Sequence, residues 1–297
     1  MPKAPNLPGN NMMNNTANKP IYIRFLKSLS SLIPGDMLKT FIYLNGIHKV
    51  RKVLRTAILS FYRIEHIYEV IGDFSKNYRG NFSVLEFGVA DGYSFTKMLY
   101  ATRYLKCENR VTIHGFDSFE GMPKTDDSKD RDLIANDGWV EGQFKTDFEK
   151  LSEYCKGKYF NFVFHKGMFD KTITPDFLET LRTHLPILVW IDCDYYTSAK
   201  IVFERIKDYL PSGCVIYFDE PEFNYGCRYT GESRLIHEVN NGLFGDGIEL
   251  VLDPSLSLTS NRIYRFININ AKTVYDRVKN LNSAGELHRR SNDSPFP

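Results

Sequence analysis

Apolar and polar positions along the chain follow two regimes. From Ile21 to about Phe74 the spacing is helical, with Val50, Val53, Leu54, Ala57, Ile58, Phe61 and Tyr62 on one face. Beyond it, short apolar runs alternate with amphipathic segments. "FSVLEFGV" predicts a first strand and "SFTKMLYATRYL" a helix. "RVTIHGFDSF" predicts a second strand, followed by a polar loop from Glu120 to Glu141 and a helix near Phe144 to Cys155. "YFNFVFHKG" is the third strand, with a helix from Pro175 to about His184, and "PILVWIDCD" is the fourth. "SAKIVFERIKDYL" reads as an amphipathic helix with Ser198 as its N-cap and "PSG" as its stop. "GCVIYFDE" is the fifth strand and "ESRLIHEVNNGLF" another helix. "GIELVLDPSLSLTS" and "NRIYRFINI" close the pattern as two strands, and from about Ala271 a polar helix and a loose end follow.

Five apolar strands separated by helices require a parallel sheet covered on both faces, an α/β fold. The last two strands lack an intervening helix, so one must run antiparallel. The expected organisation is a disordered tail over 1–20, rich in Asn and Pro, and a helical cap over 21–75. A catalytic domain over 76–270 and a C-terminal helix and tail over 271–297 complete it.

Composition narrows the partners. A net charge of +2 argues for no nucleic acid, and no run approaches the about 20 apolar residues of a membrane span. The five cysteines are scattered without a CxxC, which fits a reducing cytoplasm better than a disulfide framework or a zinc site. Lys49, Arg51, Lys52, Arg55 and Arg63 form a basic cluster in the N-terminal helical region. A solvated helix face accounts for them; a membrane-surface, anionic-substrate or subunit contact is left open, and so is a homo-oligomer.

In an open α/β sheet, ligands sit beyond the carboxyl ends of the strands. Four of the five predicted strand ends carry carboxylates within a few residues, in "EFGVADGYS", "FDSFEG", "DCDYYTS" and "FDEPEFNYG". Glu86, Gly88, Ala90 and Gly92 take alternate positions in the first turn, where small residues let backbone approach a ligand at a helix N-terminus. The spacing is not G-x-G-x-x-G, which counts against a nicotinamide dehydrogenase. Asp117 ends strand two, where an acid accepts ribose hydroxyls. Asp192 and Asp194 end strand four, and alternation along an extended chain would put both on one side.

Five blocks occur in order: "VLEFGVADGYS", "IHGFDSFEGMP", "KGMFDKT", "VWIDCDYYTSAKIVFERIKDYLPSGCVIYFDE" and "GESRLIHEV". From about Phe82 to Val239 they resemble the macrocin O-methyltransferase family, sugar-modifying class I S-adenosylmethionine-dependent methyltransferases. The resemblance implies a Rossmann-like seven-stranded sheet whose last strand inserts antiparallel. It implies that Glu86, the turn Gly88–Gly92 with Ala90 and Asp91, and Ser94 hold the methionine part of the donor. Asp117 would hold the ribose, Ser118 and Phe119 would flank the adenosine, and Gly167, Met168 and Phe169 would line the adenine pocket with Asp170 nearby. Ala90 stands where many class I enzymes have glycine.

The resemblance also implies a divalent cation, commonly Mg²⁺, beside the methyl donor, at Asp192, Asp219 and Glu220. Glu220 departs from the usual Asp. Such an ion would hold a sugar diol and lower its hydroxyl pKa. An alcohol attacks only as it loses its proton, so a base is needed; Asp194 is the candidate, and Asp192 takes that role where the metal is absent. Tyr195, Tyr225, Arg228 and His237 are placed on the acceptor side, and Trp139 in a lid or on the sheet edge. His114 and His165 lie within strands and read as core residues. A small-phenol or N-methyltransferase, or a module that binds the donor without turnover, is the alternative.

Overall fold

A computed structural model of the chain describes residues 62–131, 139–253, 262–277 and 287–289, with the single positions 46 and 256. The expected tail over 1–20, the apolar positions from Val50 to Phe61 and the basic Lys49, Arg51, Lys52 and Arg55 lie outside these residues. The chain divides into two compact units, 1–58 and 59–297, and the second carries the elements described below.

In that unit the sequence pattern becomes structure almost segment by segment. Helix α1 (Tyr62–Asn77) precedes β1 (Asn81–Phe87), α2 (Tyr93–Tyr104) and β2 (Val111–Asp117). Helix α3 (Phe148–Lys156), β3 (Phe162–Lys166), the short α4 (Phe169–Thr172) and α5 (Pro175–Thr180) follow. Next come β4 (His184–Ile191), α6 (Tyr196–Ile206), β5 (Val215–Phe218) and α7 (Gly231–Asn240), and then β6 (Ile248–Leu252) and β7 (Ile263–Asn268). The helix expected to run to about His184 stops at Thr180, because His184 already belongs to β4. Where a C-terminal helix was expected, Tyr275–Arg277 form a strand paired with Leu287–Arg289.

The seven strands form one sheet in the order β3-β2-β1-β4-β5-β7-β6. All neighbours from β3 to β5 are parallel, and β7 enters antiparallel between β5 and β6. Antiparallel pairing suits two consecutive strands as close in sequence as β6 and β7, because a parallel pair needs a crossover of a dozen or more residues.

Continuous apolar runs arise because both faces of the sheet are covered. Along β4, Leu188 and Trp190 face one core while Val189 and Ile191 face the other. Along β5, Val215 and Tyr217 share the first core, and Ile216 and Phe218 the second. The first core lies under α1, α2 and α3, and the second under α5, α6 and α7. Ile67, Val70, Ile71 and Phe74 give α1 a helical stripe that is buried in the first core. Each such side chain contributes about 1.5–3 kcal/mol by leaving water. Trp190 and Tyr217 stand opposite each other on β4 and β5, their rings stacked 3.5 Å apart. At the amino end of β5, Tyr275 docks its ring on Phe74 and Tyr78. Among the described residues no helix is long and apolar enough to cross a membrane.

Candidate active site

The strand order turns back between β1 and β4, and a cleft opens there at the carboxyl ends of β1, β2, β4 and β5. Its volume is about 370 Å³, the scale of a site for a small organic ligand. Six carboxylates line it (Asp91, Asp117, Asp192, Asp194, Asp219 and Glu220), and among the described lining residues there is no lysine or arginine.

The β1 turn is shaped by close backbone packing. The Asp192 N–H donates to the Phe87 carbonyl at 2.9 Å, which pins the exits of β1 and β4 together. Gly88, at φ +93°, lies so near that a Cβ there would overlap the Asp192 carbonyl oxygen. Ala90 adopts φ +45°, a left-handed conformation that favours glycine. Gly92, at φ +79°, is the N-cap of α2, and the first helical N–H, that of Tyr93, donates to Asp91 Oδ1 at 3.1 Å. Glu86 is fully buried below this turn and accepts a hydrogen bond from the Ser94 hydroxyl, and Ser94 itself lines the cleft.

Asp117 holds the turn from the side. Its Oδ2 accepts the N–H of Val89 at 2.8 Å and of Ala90 at 2.9 Å, and its Oδ1 accepts the N–H of Phe119 at 2.6 Å. A carboxylate has about four acceptor sites, so capacity for one further donor remains on the cleft side.

Gly167, Met168 and Phe169 line the cleft as expected, together with Asp91 and Ser118. Phe119 does not: its left-handed backbone, φ +60°, turns the ring into the core against Phe148 and Phe164. Met122, Pro123 and Phe144 line the cleft without having been foreseen, although the first two stand in the "GFDSFEGMP" block.

The second wall is acidic. Asp192 and Asp194 both line the cleft, but alternation is not the reason, since Asp194 is left-handed at φ +59° and the chain bends there. Cys193 between them is buried, and burial pushes its thiol well above the usual range, so it is a neutral filler. Glu232, at the start of α7, is fully buried behind this wall. Its Oε2 accepts the Glu220 N–H at 2.9 Å. Burial, and after it the nearby Asp192, Asp194 and Asp219, hold its carboxyl well above the carboxylate range.

The donor set of Asp192, Asp219 and Glu220 has the hard oxygens Mg²⁺ prefers, yet its arrangement does not fit a divalent cation. Asp219 Oδ1 already accepts from the Tyr217 hydroxyl at 2.6 Å and is paired with Arg262 Nη1 at 3.2 Å. Among the described residues no three Asp, Glu, His or Cys side chains are grouped to hold a metal ion.

Other expected positions fall outside the cleft lining. Tyr195 is buried and donates its hydroxyl to the Trp139 carbonyl at 3.3 Å, while Trp139 itself lines the cleft and packs on Phe223. Tyr225 is exposed, Arg228 pairs with the Tyr229 hydroxyl at 3.2 Å, and His237 is on the exposed side of α7 beside Asn241. Asp170 pairs with Lys171 on α4. His114 and His165 bond ring to ring at 3.1 Å, His165 stacks on Phe116, and both rings meet Phe177 edge-on.

Comparisons with known proteins agree with this architecture. Residues 85–220 match a family model described as a methyltransferase domain. No curated protein matches the chain by sequence. Among solved structures, the chain is similar to CalS11, a calicheamicin methyltransferase, at 22% identity and a TM-score of 0.52, over 82% of this chain and 90% of that one. It is also similar to the O-methyltransferase NovP, at 17% identity and a TM-score of 0.49, over 70% of this chain and 79% of that one. The matched stretch runs from within β1 to just past β5, so it covers the strand ends and the turn that line the cleft, and the fold is shared with solved methyltransferases.

Proposed function

We propose that the protein is an O-methyltransferase that moves a methyl group to a hydroxyl of a sugar or glycosylated metabolite. The observation that carries this is the cleft lining: six carboxylates, with no basic side chain among the described lining residues. Such a wall favours a cationic sulfonium donor and disfavours a ligand led by phosphates. The turn Gly88–Gly92 and the start of α2 hold the methionine part, where the positive end of the helix suits its carboxylate. Asp117 keeps one acceptor site for the ribose, and Gly167, Met168 and Phe169 form the adenine side. The sugar acceptor is supported by the "GFDSFEGMP" and "IDCDYY" blocks and by the fold shared with a calicheamicin methyltransferase.

In the reaction the acceptor oxygen attacks the sulfonium methyl in line. The C–O bond forms as the C–S bond breaks, the sulfur leaves neutral, and the hydroxyl proton passes to the Asp194 carboxylate. Asp192 and Glu220 orient the acceptor's hydroxyls, and no divalent ion is part of the step.

A methyl-donor turnover screen over nucleotide sugars, glycans and catechols tests the assignment. Turnover with a sugar hydroxyl is expected, and turnover with catechols alone would overturn it. Asp194→Asn should lower kcat by about 10²–10⁴-fold while S-adenosylhomocysteine still binds in calorimetry.

A further inference from the structure

We propose that Arg262 is the resident cation of the acid wall and that methyl transfer by this chain needs no divalent metal. Arg262 stands immediately before β7, and its carbonyl accepts the Phe218 N–H at 2.9 Å. That bond continues the β5–β7 ladder by one residue and fixes the Arg262 backbone beside the end of β5. From there the guanidinium reaches two acids. Nη1 lies 3.2 Å from Asp219 Oδ1, and Nε lies 3.1 Å from Glu222 Oε2.

The pair is set in protein rather than on the surface: the side chains of Arg262 and Asp219 are 19% and 5% exposed. Loss of one partner from such a pair leaves an uncompensated charge, so the pair persists. The Tyr217 hydroxyl donates to the same Asp219 Oδ1 at 2.6 Å. A divalent ion at Asp219 Oδ1 would therefore have to displace two donors, and one at either oxygen would share the carboxylate with a guanidinium. Like charges at that separation repel strongly in a partly buried setting. The same guanidinium brings positive charge to the Asp219 end of the acid wall. Arg262 is thus a positioning residue that acts by holding the Asp219 side chain at the end of β5. Glu232 assists from behind by accepting the Glu220 N–H.

The proposal rests on the methyltransferase assignment only for its activity measurement, and metal binding tests it directly. Mn²⁺ titration of the full chain, followed by electron paramagnetic resonance, should show no saturable binding. EDTA should leave turnover unchanged. Arg262→Met removes the charge at similar length, and it should gain a Mn²⁺ site that is lost again when Asp219→Asn is added. Arg262→Lys keeps the charge and should gain none. Saturable Mn²⁺ binding by the unaltered chain that Asp219→Asn abolishes would overturn the proposal. Turnover lost to EDTA and restored by Mg²⁺ would do the same, and so would a folded Arg262→Met that binds no Mn²⁺. If Arg262→Met does not fold, the Mn²⁺ and EDTA measurements on the unaltered chain decide alone. Calorimetry with S-adenosylhomocysteine separates the two levels: failure of a folded, unaltered chain to bind it counts against the donor site, not against Arg262.

Discussion

Asp117 Oδ2 accepts the backbone N–H of Ala90 at 2.9 Å, so the acid at the end of β2 holds the turn that follows β1. The same oxygen takes the Val89 N–H and the other takes the Phe119 N–H. The carboxylate thus stabilises two turns at once, one of them forced to φ +45° at a non-glycine residue. Left-handed conformation costs an L-residue roughly 1–2 kcal/mol, and hydrogen bonds to a charged acceptor return about 1.5–3 kcal/mol each. Asp117→Asn presents an amide that cannot accept at both positions. It should lower the melting temperature and weaken S-adenosylhomocysteine binding by at least about tenfold, equivalent to about 1.4 kcal/mol. Calorimetry and a thermal melt check both. Donor binding unchanged in a destabilised variant would confine Asp117 to a purely structural role.

Gly88 is the tightest point between β1 and β4. A Cβ there would overlap the Asp192 carbonyl oxygen and lie 2.7 Å from its carbon, and φ is +93°. Backbone cannot swing aside as a flexible side chain can, so Gly88→Ala must push Asp192 away from the cleft. Overpacking of this kind costs about 1–3 kcal/mol, in addition to the conformational cost. Gly142→Ala is the matched control, since its φ is +79° with nothing within 4 Å of the added Cβ. Gly88→Ala should lose donor binding and methyl transfer together, while Gly142→Ala loses only modest stability.

The sheet was legible because its signal is local. Runs such as "ILVW" in β4 must be apolar at every position when both faces are covered, and the helices between them carry their own spacing. The carboxylates at the strand ends were legible for the same reason, since the fold dictates where a strand end must open. What stayed hidden depends on side chains distant in sequence. Nothing around Arg262 indicates that it meets Asp219, 43 positions earlier. Phe119 was placed beside the adenosine by the family resemblance alone, and its left-handed backbone goes with a ring packed in the core. Asp194 reached the cleft as expected, although by a bend rather than by strand alternation.

Two buried histidines, His66 and His114, and the half-buried His165 make stability sensitive to acid. Burial lowers His66 to about 4, and lowers His165 to about 4. His114 is lowered to about 3, by burial first and then by His165 and His184. Each is neutral in the folded chain where the unfolded chain binds a proton. Their contribution is therefore full above the unfolded value of 6.5 and is lost as pH falls from there toward about 4. The slope is up to about 1.4 kcal/mol per pH unit for each histidine. Substituting Leu for both His114 and His165 should reduce the stability lost between about pH 6.5 and pH 4, whatever its effect near neutrality. Urea unfolding across that range measures it, and an unchanged slope would place the acid sensitivity elsewhere.

The start of α6 is capped from a distance. Asp130, in the long loop after β2, is buried and accepts the Thr197 N–H on Oδ1 at 2.9 Å. Its Oδ2 accepts the hydroxyls of Thr197 at 2.7 Å and Thr125 at 2.8 Å. The helix begins at Tyr196 without a cap from its own N-cap residue, so Ser198, the cap expected from the sequence, is already inside it. Ser198→Ala should therefore change stability by no more than about 0.5 kcal/mol. Asp130→Ala removes the cap and strands the Thr197 N–H, at a cost of about 1–2 kcal/mol. Thr197→Val keeps the N–H bond and should fall between the two. Because Trp139 and Ser198 both line the cleft, loosening the loop from α6 should also raise KM for the acceptor more than it weakens S-adenosylhomocysteine. Equal losses for acceptor and donor would mean that the cap supports the whole domain and not the acceptor side of the cleft.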